Sequence, residues 1–405
     1  MNDARSTRVC VFYPADPLGA IPGGIDSFIR GLISYAPADI RFSVVGVTTD
    51  VARRPIGKWV QCAINSKGFD FLAVKELKNP GRQSVVPMSL KYFLALRKKI
   101  GTIDADILEY HGIESSLAFL RDHRPKTLVV HQNMQVLYDP QTDIRWKYFP
   151  RFYFLLEKFL IRRIQAMYCV RADAVSDYKK RYPDIADRFR FTPTWVDTRL
   201  FCDPSDDERA SAKQNIMSEF GFGSTDPVLI TVGRLDSQKN PLLLVRAFRQ
   251  VLEKKKNARL IFVGDGILRN QIESFISEHA LDNHVKLCGV KNSRQVAELL
   301  RGADVFVLSS AYEGMPICVL ESLGTGLPVV STDVGEVSRV VQPGKNGELV
   351  EEQSTESLSV AILHCLNSSD VYRGLPCTRA ISEYVPSKVL KPIYQRYREL
   401  AKADL

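Results

Sequence analysis

The 405-residue sequence has no CxxC pair, no GxSxG elbow, no P-loop lysine motif and no apolar run near the roughly 18 residues that a membrane-spanning helix needs. These absences remove dithiol redox chemistry, the α/β-hydrolase nucleophile, Walker-type phosphate binding and helical membrane proteins from consideration. Eight cysteines stand apart at Cys10, Cys62, Cys169, Cys202, Cys288, Cys318, Cys365 and Cys377, several inside apolar runs. Thiols used in that way are expected to be buried and reduced, in a cytoplasmic setting, not joined as disulfides or holding zinc. The opening MNDARSTRVCVFYP has no apolar h-region and is read as a short tail entering a strand. Repeats of solenoid length and low-complexity tracts are missing as well.

What is present is ordinary in amount and informative in order. Hydrophobic residues make up 45% and charged residues 25%, the composition of a soluble globular chain. The length exceeds what one core usually supports, so two α/β domains are expected. An excess of 55 basic over 46 acidic residues gives +9, which suits an anionic ligand, an anionic membrane surface or nucleic acid. No arginine-aromatic pattern at RNA-binding spacing accompanies it, so nucleic acid is not expected as a partner.

Short β-rich runs alternate with helix-like segments throughout. RVCVFYP, RFSVVGV, DILEYH, TLVVH and AMYCV lie in the first half, and PVLITVG, ARLIFVG, HVKLCG, ADVFVLSS and LPVVST in the second. Alternation of this kind predicts parallel sheets covered by helices on both faces. The polar, turn-rich stretch TPTWVDTRLFCDPSDDERA interrupts it, placing domains at 1–198 and 199–385, with a terminal helix over 386–405.

Ligands of open parallel sheets sit beyond the carboxyl ends of the strands, so the residues after each strand carry most of the functional argument. After the first strand, YPADPLGAIPGGIDSF holds Gly19, Gly23 and Gly24 before a helix, where backbone amides could approach a phosphate. A flexible turn is an equal reading of that loop. In TVGRLDSQKNPLLLVRAF, Asn240 is a candidate N-cap and Pro241 a candidate first helical residue. Arg234 and Lys239 then fall in the loop beside a helix N-terminus, placed to bind a diphosphate. In YEGMPICVLESLGTGLPVV, Pro316 suits the first helical turn, Glu313 precedes it, and Glu321 lies further along the helix. Two such carboxylates can accept hydrogen bonds from sugar hydroxyls. His131 and His111 each end a first-half strand, and alone each would count as structural.

Two other strings have bland readings. Asp104-Ala105-Asp106 matches a DxD metal motif but leads straight into a strand, where turn and capping roles are commoner. The segment RWKYFPRFYFLLEKFLIRRI, 145–164, has six basic residues, one acid and many aromatics. It could lie on a membrane surface. Its apolar residues surround the helical wheel, so a largely buried helix is the expectation.

Gly23-Gly24-Ile25-Asp26, VGRLDSQKNP, the FVGDG turn at 262–266, and the Glu313-x7-Glu321 block followed by GLPVVSTDVG together resemble the group 1, or family 4, retaining glycosyltransferases of the GT-B architecture. The resemblance runs from residue 8 to about 350. It implies two Rossmann-like parallel-sheet domains facing across a cleft, with the C-terminal helix packing back on the first. It also implies His131, Arg234, Lys239 and Glu313 as catalytic-site residues, with His111 a weaker candidate. The donor-binding positions it implies are Gly23, Gly24, Gly233, Gly266, Val290, Gly314, Met315, Pro316 and Glu321. Glu313 would contact the transferred sugar, Glu321 the ribose, and Arg234 with Lys239 the diphosphate. Thr194-Trp195 and the Gly335-Glu336 pair followed by Arg339 depart from the family pattern at the linker and cleft edge.

The expected function is transfer of a sugar from a nucleoside diphosphate to a hydroxyl, with retention and without a metal or other cofactor. A UDP-sugar is favoured over a GDP-sugar as donor. The acceptor is expected to be a lipid-linked saccharide in polysaccharide or glycan assembly, met through peripheral membrane contact of the first domain. Alternatives on the same fold are a nucleotide-sugar epimerase or phosphorylase; a non-catalytic nucleotide-sugar-binding protein is a third.

Overall fold

In a computed structural model, the structure describes residues 6–19, 24–77, 88–99, 103–131 and 148–403. Gly23, within the expected glycine loop, lies outside them. The chain divides into two compact units, Met1–Pro193 with Pro386–Leu405, and Thr194–Val385.

The first unit is built on strands β1 (Thr7–Phe12), β2 (Ile40–Thr48), β3 (Trp59–Ile64), β4 (Lys67–Glu76), β5 (Ile107–Tyr110), β6 (Lys126–Val130), β7 (Ala166–Cys169) and β8 (Phe189–Phe191). Their order in the sheet is β3-β4-β2-β1-β5-β6-β7-β8. Strands β1, β5, β6 and β7 are almost wholly buried, as near-continuous apolar runs covered on both faces must be. The expectation of parallel pairing fails at one edge, where β3 runs antiparallel to β4. Asn65 and Ser66, both at positive φ (48° and 65°), make the tight turn that joins them. Such a turn matches the twist of a two-stranded ribbon. Along β3 exposed and half-buried residues alternate, so this strand covers an edge instead of filling the core.

The terminal helix, Lys391–Ala403, belongs to this unit. Tyr394 donates to the Leu32 carbonyl at 2.7 Å, and Arg398 pairs with Asp39 at 2.6 Å. Asp104 and Asp106 both face Arg8, which gives them a structural role at the entrance to β5.

The second unit has β9 (Val228–Val232), β10 (Arg259–Val263), β11 (Val285–Leu287), β12 (Val305–Leu308), β13 (Val329–Thr332) and β14 (Gly347–Val350), ordered β11-β10-β9-β12-β13-β14 and parallel throughout. From β9 the chain winds outward through β10 and β11, then returns to β9's other side with β12. The gap between the carboxyl ends of β9 and β12 is therefore a topological switch point, where open α/β sheets bind ligands. In the first unit β1 and β5 stand in the same relation.

One expectation is overturned outright. The helix Pro150–Leu160 is not largely buried. Tyr153 and Leu160 face the core, yet Phe149, Phe152, Leu155 and Phe159 are exposed by 67%, 59%, 66% and 50%. Apolar residues surround the wheel because the solvent-facing side is also apolar. The eight cysteines are all free. No helix among the described residues is long and apolar enough to cross a membrane.

Candidate functional site

Two groups of side chains gather at switch points, one in each unit. In the second unit, the loop after β9 carries Arg234 and Lys239, and the loop after β12 carries Glu313. The helix Pro241–Lys254 starts at Pro241, but Asn240 before it has left-handed backbone (φ 45°, ψ 53°) and makes no side-chain cap. The expected N-cap bond is thus absent. The loop is anchored differently, by Ser309, whose hydroxyl donates to the carbonyls of Lys239 and Asn240 at 3.0 and 3.1 Å. That contact ties the loop of β9 to the strand end of β12.

Lys239 reaches across and pairs with Glu313, Nζ to Oε1 at 2.5 Å. Ser310 donates to the same oxygen at 2.8 Å, and Gln238 approaches Oε2 at 3.5 Å. Burial works against the Lys239 ammonium, and the Glu313 carboxylate more than offsets it, leaving the pKa raised. Lysine has three N–H donors, so the bond to Glu313 leaves others for a ligand. Arg234 is more exposed; it pairs with Asp236 at 3.0 Å and donates to Gln238 at 3.2 Å. Both expected cations therefore lie at one strand end, each already oriented by an acid.

Glu313, Gly314 and Met315 precede the helix Ile317–Gly324, with Pro316 at the N-cap position, one residue earlier than expected. Gly335 holds this turn from behind. It has φ of 59°, and a Cβ there would fall 2.0 Å from the Gly314 carbonyl oxygen. The Glu336 amide then donates to that oxygen at 2.9 Å. Only glycine allows so close an approach. The departures seen in sequence are accounted for here: Thr194 donates to the Met315 carbonyl at 3.4 Å, Trp195 is buried, and Arg339 pairs with Glu336.

Glu321 sits on the fifth position of its helix, partly buried. Its carboxylate has no hydrogen-bond partner among the described residues, and burial pushes its pKa up to about 7. An unsatisfied carboxylate in such surroundings is costly unless a ligand completes it. Gly233 backs onto the methylenes of Lys239, and a Cβ on Gly266 would fall 2.4 Å from the Leu235 carbonyl. Both glycines thus shape the loop that carries Arg234. Val290, 49% exposed, follows β11 and touches none of these residues in a described hydrogen bond.

In the first unit, His111 follows β5 and His131 follows β6. They lie side by side, His111 Nδ1 to His131 Nε2 at 2.8 Å, with ring planes 17° apart. Phe28, from the helix Gly24–Ser34, packs its edge on both. Gly24 begins that helix and is exposed, with open space where a Cβ would be. Its place at a helix start matches the expectation; nothing crowds it into being glycine.

Sequence reasoning missed Ser310, Gln238, Asp236 and Gly335. Gln238 and Asp236 were within the quoted loop, but polar residues beside two cations carry no distinct signal. Gly335 shows its purpose only through contact with a loop distant in sequence.

Two Rossmann-like units, each with polar side chains at its switch point, define an α/β protein of the doubly wound class. Residues 212–375 match the family model of the group 1 glycosyl transferases. An uncharacterised glycosyltransferase of Methanocaldococcus jannaschii is 42% identical over 106 residues, 26% of each chain. The UDP-Gal:alpha-D-GlcNAc-diphosphoundecaprenol alpha-1,3-galactosyltransferase of Escherichia coli is 30% identical over 174 residues, 42% of this chain and 43% of that one. The chain thus matches less than half the length of these curated relatives. Among solved structures, sucrose-phosphate synthase from Thermosynechococcus elongatus has a TM-score of 0.78 at 19% identity, covering 98% of this chain and all of the other. The Anabaena protein HepE, in complex with UDP and glucose, has a TM-score of 0.71 at 15% identity, with coverage of 97% and 99%. Both are likenesses of fold, and the fold is that of the GT-B glycosyltransferases.

Proposed function

We propose that the protein transfers a sugar from a nucleoside-diphosphate sugar to a hydroxyl acceptor, with retention at the anomeric carbon. The observation that carries this reading is the joining of Arg234, Lys239 and Glu313 at the β9/β12 switch point, within the segment that matches the family. As the bond to the diphosphate breaks, negative charge grows on the leaving group. Arg234, the remaining N–H groups of Lys239 and the backbone amides near Gly314 are the donors available to stabilise it. That requirement is met by protein groups, so no metal is assigned. Glu313, held by Lys239 and Ser310, orients sugar hydroxyls; Glu321 takes the ribose. The leaving phosphate would accept the acceptor's proton on the same face, so that Glu313 is not a nucleophile.

UDP is the favoured base, supported by the UDP complex of the HepE structure and the UDP-sugar named for the E. coli relative. The latter's diphosphoundecaprenol acceptor also supports a lipid-linked saccharide. The exposed face of Phe149, Phe152, Leu155 and Phe159, with Arg151, Lys158, Arg162 and Arg163 on the same segment, is proposed to rest on an anionic membrane surface. Aromatic and aliphatic side chains would enter the interface while the cations meet headgroups.

The test is transfer by purified protein across a panel of nucleotide sugars, chosen first by thermal stabilisation. Arg234→Ala and Glu313→Ala are expected to lower turnover about 100-fold or more while retaining the wild-type circular dichroism spectrum. Near-normal turnover in either variant overturns the assignment.

A further inference from the structure

Beneath His131 lies a chain of hydrogen bonds that the transfer mechanism does not use. Glu109, on β5, is wholly buried, as is the side chain of His111. Two hydroxyls converge on Glu109 Oε2: Thr127 at 3.1 Å and Tyr397, which reaches in from the terminal helix. The other oxygen, Oε1, faces His111 Nε2 at 3.3 Å. His111 Nδ1 then meets His131 Nε2.

Proton placement follows from one end to the other. Both oxygens of a carboxylate accept only, so the nitrogen of His111 that faces Glu109 must carry a proton. At 3.3 Å the contact is longer than the 2.7–2.9 Å of a charge-assisted bond, which favours neutral His111 over a buried imidazolium. In neutral His111 the other nitrogen, Nδ1, is an acceptor. The bond to His131 can form only if His131 Nε2 donates it. Burial holds the pKa of His131 well below its ordinary value, so this ring is neutral too. Its Nδ1 is left as a lone-pair acceptor, and no described residue donates to it.

We propose that Glu109 and His111 are positioning residues that fix the tautomer of His131, making its Nδ1 an acceptor for a substrate hydroxyl. Through Tyr397 the terminal helix becomes part of the same device, because its hydroxyl donates to Glu109 and helps hold the side chain in its orientation. The consequence for specificity is chemical: His131 can receive a hydrogen bond from an O–H group but cannot donate one to a carbonyl or phosphate. The substrate role of His131 rests on the function proposed above, whereas the tautomer assignment does not.

Imidazole nitrogen NMR of the full chain, labelled at its six histidines, separates the two. Signals are assigned by their loss in His111→Gln and His131→Gln. Both rings are expected as the neutral form protonated on Nε2 and bare on Nδ1. A doubly protonated His111, or His131 protonated on Nδ1, overturns the proposal in the unmodified protein, without recourse to a variant. In Glu109→Gln the amide can turn its oxygen to Thr127 and Tyr397 and its N–H to His111. Both rings should then exchange tautomers, protonating His131 on Nδ1, with transfer falling at least about 10-fold by loss of one acceptor bond. Exchanged tautomers with unchanged transfer would uphold the relay and remove His131 from substrate contact; unexchanged tautomers in the folded variant would reject the relay.

Discussion

Replacing Glu321 by Gln should stabilise the second unit in the absence of ligand, and the gain should grow with pH. The carboxylate is partly buried without a hydrogen-bond partner among the described residues, and its pKa rises from the ordinary 4.5 to about 7. The folded value lies above the unfolded one, so the folded chain binds the extra proton in the interval between them. Stability from this group is therefore complete below about pH 4.5 and is lost as pH climbs through about 7. With about 1.4 kcal/mol per pH unit, the ionised carboxylate costs the fold about 3 kcal/mol above that range. Glutamine has the same shape and no charge, so it escapes the pH-dependent part and keeps only the constant cost of a buried amide. Between about pH 5 and about pH 8.5 the difference between variant and parent should grow by about 2 kcal/mol, which is roughly 4–8 °C in melting temperature for a unit of this size. Calorimetry of both ligand-free proteins at the two pH values measures it. A melting difference that stays constant with pH would refute the reasoning, since it would show that Glu321 is not held at a raised pKa. The same variant should bind nucleotide sugar more weakly, which would make Glu321 a position where stability is given up for ligand binding.

Lys239→Ala should remove the charge partner of Glu313 and reduce transfer about 100-fold or more, and Lys239→Arg should not restore it because the planar guanidinium cannot repeat a 2.5 Å point contact. Gly335→Ala forces a methyl against the Gly314 carbonyl at a positive φ, so a loss of about 2–4 kcal/mol in urea unfolding is expected, along with weaker donor binding measured by calorimetry. Tyr397→Phe removes one of the hydroxyl donors to buried Glu109 and should cost the first unit about 1–3 kcal/mol, read by thermal melting. Phe152→Glu with Leu155→Glu should reduce co-sedimentation with anionic liposomes while leaving the melting temperature unchanged, since both side chains face solvent. Raising salt should weaken the parent's binding in the same assay, through screening of the basic residues.

Much of this protein was legible from local pattern. Runs such as VLITV and VFVL are apolar throughout because a parallel strand is covered on both faces, and that alone announces an α/β fold. The placing of Arg234, Lys239 and Glu313 after strands was legible for the same reason, since their loops directly follow β9 and β12. Strand β3 was missed because its alternation is that of an edge ribbon, with a weaker hydrophobic signal than the buried strands. The helix Pro150–Leu160 was misjudged because a wheel shows which residues are apolar but not which side meets the core.

What the sequence determined by itself, then, was which side chains follow each strand, because strand order in the chain and the residues after each strand are local properties. Tertiary structure alone decided how those side chains are paired. It set Lys239 against Glu313, backed Gly314 with Gly335, left Glu321 without a hydrogen-bond partner among the described residues, and joined Tyr397 to Glu109 across 288 positions of chain. Hydrogen bonds and charge pairs act over a few ångströms, and only folding brings such distant residues within that range.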